Sequence, residues 1–392
     1  MRIAIAADFA SPWVGGPAAF IDNFRAYLRG AGHQVEVIAP SLTGLPSLEE
    51  TSAGVVRRVP TLPVPFGYHL RVSYRPDAVR AAVKAARPDV LQVHHPFPLG
   101  LSALRAARSL SIPVVAVNHT IPECSLYGIK ENRAVYPFAL GLFRRYLIWF
   151  LEQATKVSTP TETAALLLRG MAFKGTVTVI SNGIDTTRFS PAADKGAARS
   201  ALGLPNRPIL LYTGRLDAEK DMDTWLRAAA RLPRSLGAHL VIGGDGTDRP
   251  RLERLAAELG LVGQITFPGY LPASDLPTLY QAADAYCITS AVELQSITTL
   301  EAVASGLPVI AARAGALPEL VEDGVTGYLA LPGDVEGFAR GMTRVLEDPA
   351  AGKGMGMAGR ARAEHHALPA VGLAHESLLA SVVRGQVATL QS

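Results

Sequence analysis

The stretch Glu293-Leu-Gln-Ser-Ile-Thr-Thr-Leu-Glu301, running on through Ala-Val-Ala-Ser-Gly-Leu-Pro-Val to Ile310, decides how this chain folds. The polar run from Gln295 to Thr299 opens a helix and Ala302 to Ser305 continues it. Gly306 ends it and Pro308 forbids its return. Val309 and Ile310 then begin a buried strand. The first backbone N–H groups of such a helix attract phosphate oxygens. Glu293 stands just before the helix start and Glu301 near its second turn. A nucleotide-sugar fits this layout: diphosphate on the amides, one carboxylate on the sugar hydroxyls, the other on the ribose. A surface helix with two solvated glutamates fits the spacing equally well.

Outward from this stretch the same rhythm repeats. Strands are expected at Ile3–Ala7, Val35–Ala39, Asp89–His94, Val114–Asn118, Lys156–Thr159 and Val177–Ile180. The pattern restarts at Ile209–Tyr212, Leu240–Gly243, Ile265–Phe267, Ala285–Thr289, Val309–Ala311 and Gly327–Ala330. Helical segments such as Phe20–Arg29 and Leu101–Leu110 lie between them. Short apolar runs alternating with amphipathic helices predict parallel sheets covered on both faces, in two doubly wound domains. The boundary falls near residues 183–208, rich in Ala, Pro, Gly and charge, where no core element is expected. The expected domains are 1–185 and 186–370. Residues 371–392 form a C-terminal helix packing back on the first domain. Ligands of open parallel sheets bind beyond the carboxyl ends of the strands. The loops Ala10–Pro17, Asn118–Glu123, Thr213–Lys220, Gly243–Thr247 and Glu293–Thr298 are therefore expected to line a cleft between the domains.

Composition agrees. A chain of 392 residues, 48% hydrophobic and 18% charged, suits two domains with large cores. No apolar run is long enough for a transmembrane helix, and Met1–Asp8 reads as a core strand rather than a signal peptide. Only Cys124 and Cys287 are present, which points to a reducing cytosol without disulfides. The net charge of +4 is uneven, the N-terminal half being basic and the C-terminal half acidic. A basic half suits anionic lipid or an acidic acceptor, and a general preference for Arg over Lys explains it as well.

After the strand Ile209–Tyr212 comes Thr213-Gly-Arg-Leu-Asp-Ala-Glu-Lys220. Arg215 offers a planar fork and Lys220 a point charge, and both suit a diphosphate. Cations and helix-end amides prearranged around a leaving diphosphate stabilise the charge it gains.

In order along the chain stand Gly15-Gly16, His119, Asn182-Gly183-Ile184-Asp185, Gly214-Arg215-Leu216 with Lys220, and Gly243-Gly244-Asp245-Gly246. The Glu293/Glu301 pair running into Gly306-Leu-Pro-Val-Ile310 completes the set. Together they resemble the retaining glycosyltransferases of family four, group 1, over nearly the whole chain. The resemblance implies the GT-B fold, two Rossmann-like domains facing across a cleft. It implies transfer of a hexose from a UDP- or GDP-linked donor to a hydroxyl acceptor, with no metal or cofactor required and no nucleic-acid partner. It implies that Arg215 and Lys220 hold the diphosphate, with backbone amides of Ser296, Ile297 and Thr298. Glu301 would accept from the ribose, Glu293 would bind the transferred sugar, and His119 would lie beneath it near the anomeric carbon. Gly15, Gly16, Gly214 and Gly244 would let loops approach the donor or acceptor without a Cβ clash. The segment Gln264–Tyr270 would line the base. Leu294, Gln295 and Ser296 depart from the family, which usually places a small or aromatic residue and then Gly after the first glutamate.

Several readings stay open. His94 and His95 line the acceptor side, or one packs in the sheet and one points to solvent. Asp8 binds acceptor hydroxyls or stabilises a turn. The run Tyr136–Phe150 joins large apolar groups to Arg144 and Arg145. It is expected chiefly as a core-facing helix, and an interfacial helix on a membrane is the alternative. With His95-Pro-Phe-Pro-Leu-Gly100, Asn118-His-Thr-Ile-Pro-Glu123 and the basic half, it tilts the acceptor toward a diacylglycerol-type lipid. The protein is then expected in the cytoplasm, peripheral to the inner face of the cell membrane. A nucleotide-sugar epimerase of the same architecture is the second reading and a non-catalytic nucleotide-sugar sensor the third.

Overall fold

The computed structural model describes residues 1–12, 15–51, 54–64 and 71–391, with the side chains of 387–391 excepted. The chain divides into two units, Met1–Gly183 with Leu368–Ser392, and Ile184–Ala367. In the first, ten strands form: β1 (Arg2–Ala6), β2 (Gln34–Pro40), β3 (Ser47–Thr51), β4 (Gly54–Val59), β5 (Thr61–Pro63), β6 (Arg71–Ser73), β7 (Val90–Val93), β8 (Val114–Val117), β9 (Lys156–Thr159) and β10 (Val177–Val179). Eight make one sheet in the order β10-β9-β8-β7-β1-β2-β4-β3, parallel except for β3, while β5 and β6 pair separately. Its central strands are apolar apart from Gln92 because helices bury both faces: Ile3 to Ala6, Val90 to Val93 and Val114 to Val117 are all buried.

The second unit holds β11 (Ile209–Thr213), β12 (His239–Gly243), β13 (Ile265–Gly269), β14 (Ala285–Ile288), β15 (Val309–Ala312) and β16 (Gly327–Ala330). They form an all-parallel sheet in the order β13-β12-β11-β14-β15-β16. The segment Gln264–Tyr270 is thus mostly an edge strand.

The stretch 183–208 contributes more than a linker. Ile184 and Phe189 enter the core of the second unit. Asp194 caps a helix, Lys195–Ala201, by accepting from the amides of Gly196 and Ala197. From that helix the buried Arg199 donates to Asp284 at 2.6 Å and to the Ala282 carbonyl at 3.0 Å. A seven-residue helix is too short to show a period in sequence, which is why the stretch read as a linker.

The C-terminal helix Leu368–Gln391 belongs to the first unit. Glu376 meets His33 at 2.9 Å and accepts from the Tyr27 hydroxyl at 3.4 Å, and His375 packs against Phe20 and Phe24. Among the described residues no helix is long and apolar enough to cross a membrane.

Candidate active site

In each of the two large sheets the chain starts at a central strand, builds to one side and then crosses to build on the other. In the second this reversal of build falls between β11 and β14, which pair directly. Loops leaving the carboxyl ends of two such strands diverge and leave a crevice. The loops here are Thr213–Lys220 and Ser290–Ser296. Lys220 from the first and Glu293 from the second meet across the reversal, Nζ to Oε1 at 2.9 Å, with side chains only 16% and 13% exposed. Burial opposes the charge on Lys220, but the Glu293 carboxylate outweighs it and holds the ammonium above its ordinary pKa. Both neighbouring loops are pinned by backbone. The Thr289 hydroxyl donates to the carbonyls of Lys220 and Asp221, at 3.1 and 2.8 Å. Ala316 donates its amide to the Glu293 carbonyl at 2.9 Å.

Arg215 is placed differently from Lys220. Its side chain is half exposed, and its guanidinium binds Asp217 and, at 2.6 Å, Glu219 of its own loop. Two of the three residues between Leu216 and Lys220 are acidic, and a planar fork finds them before anything farther away.

The loops after β11 and β12 lie backbone on backbone. Gly214 donates to the Gly243 carbonyl at 3.0 Å and Leu216 to that of Asp245 at 2.9 Å. At Gly244, φ is +133°, and a Cβ there would stand 1.9 Å from the Gly214 oxygen. Gly244 is therefore required by the packing of the two loops.

Ser296 caps the helix Ile297–Ala304, its Oγ accepting from the Thr299 amide at 3.2 Å. The amides of Ile297 and Thr298 precede Thr299 at the open end of that helix. Glu301 sits a turn further in, buried, with Oε2 accepting from the Tyr280 hydroxyl at 2.7 Å. Burial raises its pKa to about 7, against the pull of the Tyr280 hydrogen bond and of Arg188. Tyr280 also lies 2.5 Å from the Thr213 hydroxyl, and Tyr286 donates to Thr298 Oγ1 at 2.8 Å. The two tyrosines thus tie the helix start to the loop after β11. Sequence reasoning had missed Tyr280, Tyr286 and Thr289, because buried aromatics and strand-end hydroxyls look like core and turn residues.

This geometry sets a pH dependence. If Glu301 accepts from a donor hydroxyl, its ionised form accepts more strongly than its protonated form, so donor affinity should climb as pH rises through about 7. Tyr280→Phe removes the hydrogen bond that lowers the Glu301 pKa, so the midpoint should move upward. At neutral pH the donor KM should rise about tenfold, the worth of one hydrogen bond to a charged group, with little change in kcat. A KM–pH profile that overlays the parent's would show that Tyr280 is only core.

The first unit reverses between β1 and β7. Gly15 caps the helix Gly16–Gly30 with φ +152° and ψ 167°, a conformation open to glycine alone, and among the described residues beyond its chain neighbours no atom lies within 4 Å of its would-be Cβ. The need at Gly15 is one of conformation, not space. Trp13 and Val14 of the same loop lie outside the described residues. Asp8 is buried, its two oxygens accepting from the amides of Leu99 and Gly100 at 3.0 Å, so it serves the start of the helix Pro98–Ser109. Burial nonetheless pushes its pKa to about 7.

His94 and His95 are both buried; neither points to solvent. His94 Nδ1 meets His119 Nε2 at 3.0 Å with the rings stacked, and His94 Nε2 meets Gln92 at 3.1 Å. Burial lowers the His119 pKa to about 3, and His375 adds to the fall, so the imidazole is neutral at physiological pH. Of the sequence-selected residues, Gly214, Arg215, Lys220, Gly244, Glu293, Ser296, Ile297, Thr298 and Glu301 cluster in the second unit. Gly15, Gly16 and His119 belong to the first.

Two doubly wound units, one with a cation–carboxylate pair beside a helix start at its reversal point, define an α/β protein of Rossmann-like build. Residues 14–188 match the family described as Glycosyltransferase Family 4, and residues 194–362 that described as Glycosyl transferases group 1. A "GDP-mannose-dependent alpha-mannosyltransferase" of Mycobacterium tuberculosis (strain CDC 1551 / Oshkosh) is 32% identical over 341 residues, covering 86% of this chain and 85% of that protein. The "Sulfoquinovosyl transferase SQD2" of Arabidopsis thaliana is 27% identical over 363 residues, covering 90% and 68%. The solved sucrose-phosphate synthase of Thermosynechococcus elongatus superposes with a TM-score of 0.83 at 24% identity, covering 98% and 99%. The chain belongs to the group 1, family 4 glycosyltransferases of GT-B fold, enzymes that act on nucleotide sugars.

Proposed function

We propose that this glycosyltransferase moves a hexose from a UDP- or GDP-linked donor to a lipid hydroxyl of diacylglycerol type, with retention of anomeric configuration. The Lys220–Glu293 pair beside the start of the helix Ile297–Ala304 carries the reading. The name of the mannosyltransferase relative supports a GDP-linked donor as one of the two.

In this reading Lys220, Arg215 and the amides of Ser296, Ile297 and Thr298 bind the diphosphate and take the charge it gains. Arg215 does so by leaving Asp217 and Glu219. Glu301 accepts from the ribose and Glu293 from the transferred sugar. The C1–O bond to phosphate breaks as the acceptor oxygen bonds to C1 on the same face, and the acceptor proton passes to the leaving phosphate oxygen. A neutral His119 beneath the ring adds no positive charge beside a sugar that is itself becoming cationic. No cofactor or metal takes part, and the work is done in the cytoplasm at the inner face of the cell membrane.

Product NMR tests this: the donor's anomeric configuration should be kept, and chelation with EDTA should leave turnover unchanged. An inverted linkage would refute the mechanism. Epimerised donor after incubation without acceptor would identify an epimerase instead.

A further inference from the structure

We infer that the helix Val135–Glu152 is a docking surface for an anionic lipid bilayer. This deepens the lipid-acceptor reading above and rests on it for its purpose. The core-facing expectation holds for the end of the helix alone: its buried residues are Leu147, Ile148, Phe150 and Leu151. From Val135 to Tyr146 none is buried. Phe138, Leu142, Arg145 and Trp149 follow one another at intervals of four, three and four, which on an α-helix is one stripe. Phe138 is 75% exposed, Leu142 60% and Trp149 41%. A soluble helix turns such a stripe inward, and this one presents it to the surroundings.

Charge selects the occupant. Lys130, Arg133, Arg144 and Arg145 stand against Glu131 alone between Lys130 and Phe150. The carboxylate facing this group from outside, Glu123, is bound to Arg144, and Glu152 ends the helix. A second copy seated two-fold on this stripe would bring Arg145 against its own counterpart. A bilayer offers acyl chains to Phe138, Leu142 and Trp149 and phosphates to Arg133 and Arg145, Arg144 being already paired with Glu123.

From Trp149 in the stripe, aromatic contacts lead round the helix toward the sheet. Trp149, Tyr146, Phe143 and Phe97 form a row with ring centroids 5.9, 6.1 and 6.3 Å apart, and the Tyr146 hydroxyl donates to the Pro96 carbonyl. The row ends just after β7, at the reversal point of the first unit. A lipid held under this helix would therefore lie close to the sheet edge where an acceptor belongs.

Co-sedimentation of the full chain with phosphatidylglycerol vesicles tests the inference, with phosphatidylcholine vesicles for comparison. The chain should pellet with the anionic vesicles at low salt, and raising the salt should weaken binding. Phe138→Asp/Leu142→Asp should lower partitioning about tenfold or more, since it removes two inserted apolar groups. Both positions are exposed, so thermal stabilisation by UDP or GDP should be retained. Equal pelleting of the variant, or no pelleting of the parent at low salt, would overturn the docking surface. A dimer of the parent that these substitutions dissolve would also overturn it, by assigning the face to a second copy. Loss of donor turnover in the parent would instead strike the proposed function and leave vesicle binding untouched.

Discussion

Replacing Lys220 with alanine is expected to lower kcat about 10²–10³-fold, ~3–4 kcal/mol of transition-state stabilisation. The cation is held in place before any donor arrives: its ammonium is mostly buried and bonded to Glu293 at 2.9 Å. Its field on a leaving diphosphate would therefore need no reorganisation. The substitution also strands the Glu293 carboxylate, so folding stability should drop by ~2 kcal/mol, the scale of a lost hydrogen bond to a charged group. Stability and turnover can be separated. Lys220→Met with Glu293→Gln should regain most of the stability, because neither partner is then left charged and unpaired. It should regain none of the turnover. Steady-state kinetics with calorimetry on the single and double variants would decide. A Lys220→Ala enzyme within about threefold of the parent kcat would remove this residue from the chemistry.

Gly244→Ala should severely damage the fold of the second unit. The new methyl would lie 1.9 Å from the Gly214 oxygen, and a φ of +133° is itself unfavourable for alanine. Positive φ and forced separation of packed backbone each cost ~1–3 kcal/mol. A combined loss of ~4 kcal/mol corresponds to a fall in Tm of about 10 °C for a unit of this size. The loop after β11 carries Arg215 and Lys220, so stabilisation by nucleotide should fall as well. Gly354→Ala is the matched control. It lies exposed in the helix Pro349–Ala363 with no atom near its would-be Cβ. Alanine there should stabilise by ~0.8 kcal/mol through helix propensity. Equal Tm values for the two variants would mean that the loops are not packed as described.

Much of this architecture was legible in sequence because a parallel sheet buried on both faces writes itself as short apolar runs. Val114-Val-Ala-Val117 and Ile209-Leu-Leu-Tyr212 can hardly be anything else. The pair β3 and β4 was not legible: Ser47-Leu-Glu-Glu-Thr51 lies at the sheet edge with little burial on either face, so no alternation marks it. The helix Val135–Glu152 was ambiguous for the opposite reason. Apolar residues occupy nearly every position of Tyr136–Phe143, and such a run reads the same whether it meets a core or lipid. At the candidate site, residue types and spacing singled out the cations and carboxylates as candidates. Pairing was beyond spacing, because it depends on which strands are neighbours. That β11 lies beside β14 is what brings Lys220 to Glu293, while Arg215, two residues from Asp217, closes on its own loop.

The attachment of the C-terminal helix to the first unit has a consequence for biosynthesis. Tyr27 and Glu376, hydrogen-bonded to each other, are 349 positions apart. Until that helix leaves the ribosome, Phe20, Phe24 and Tyr27 lack part of their covering. The half of the molecule translated first is therefore the last to be sealed, and its nascent form must wait with an apolar seam open while the other half condenses.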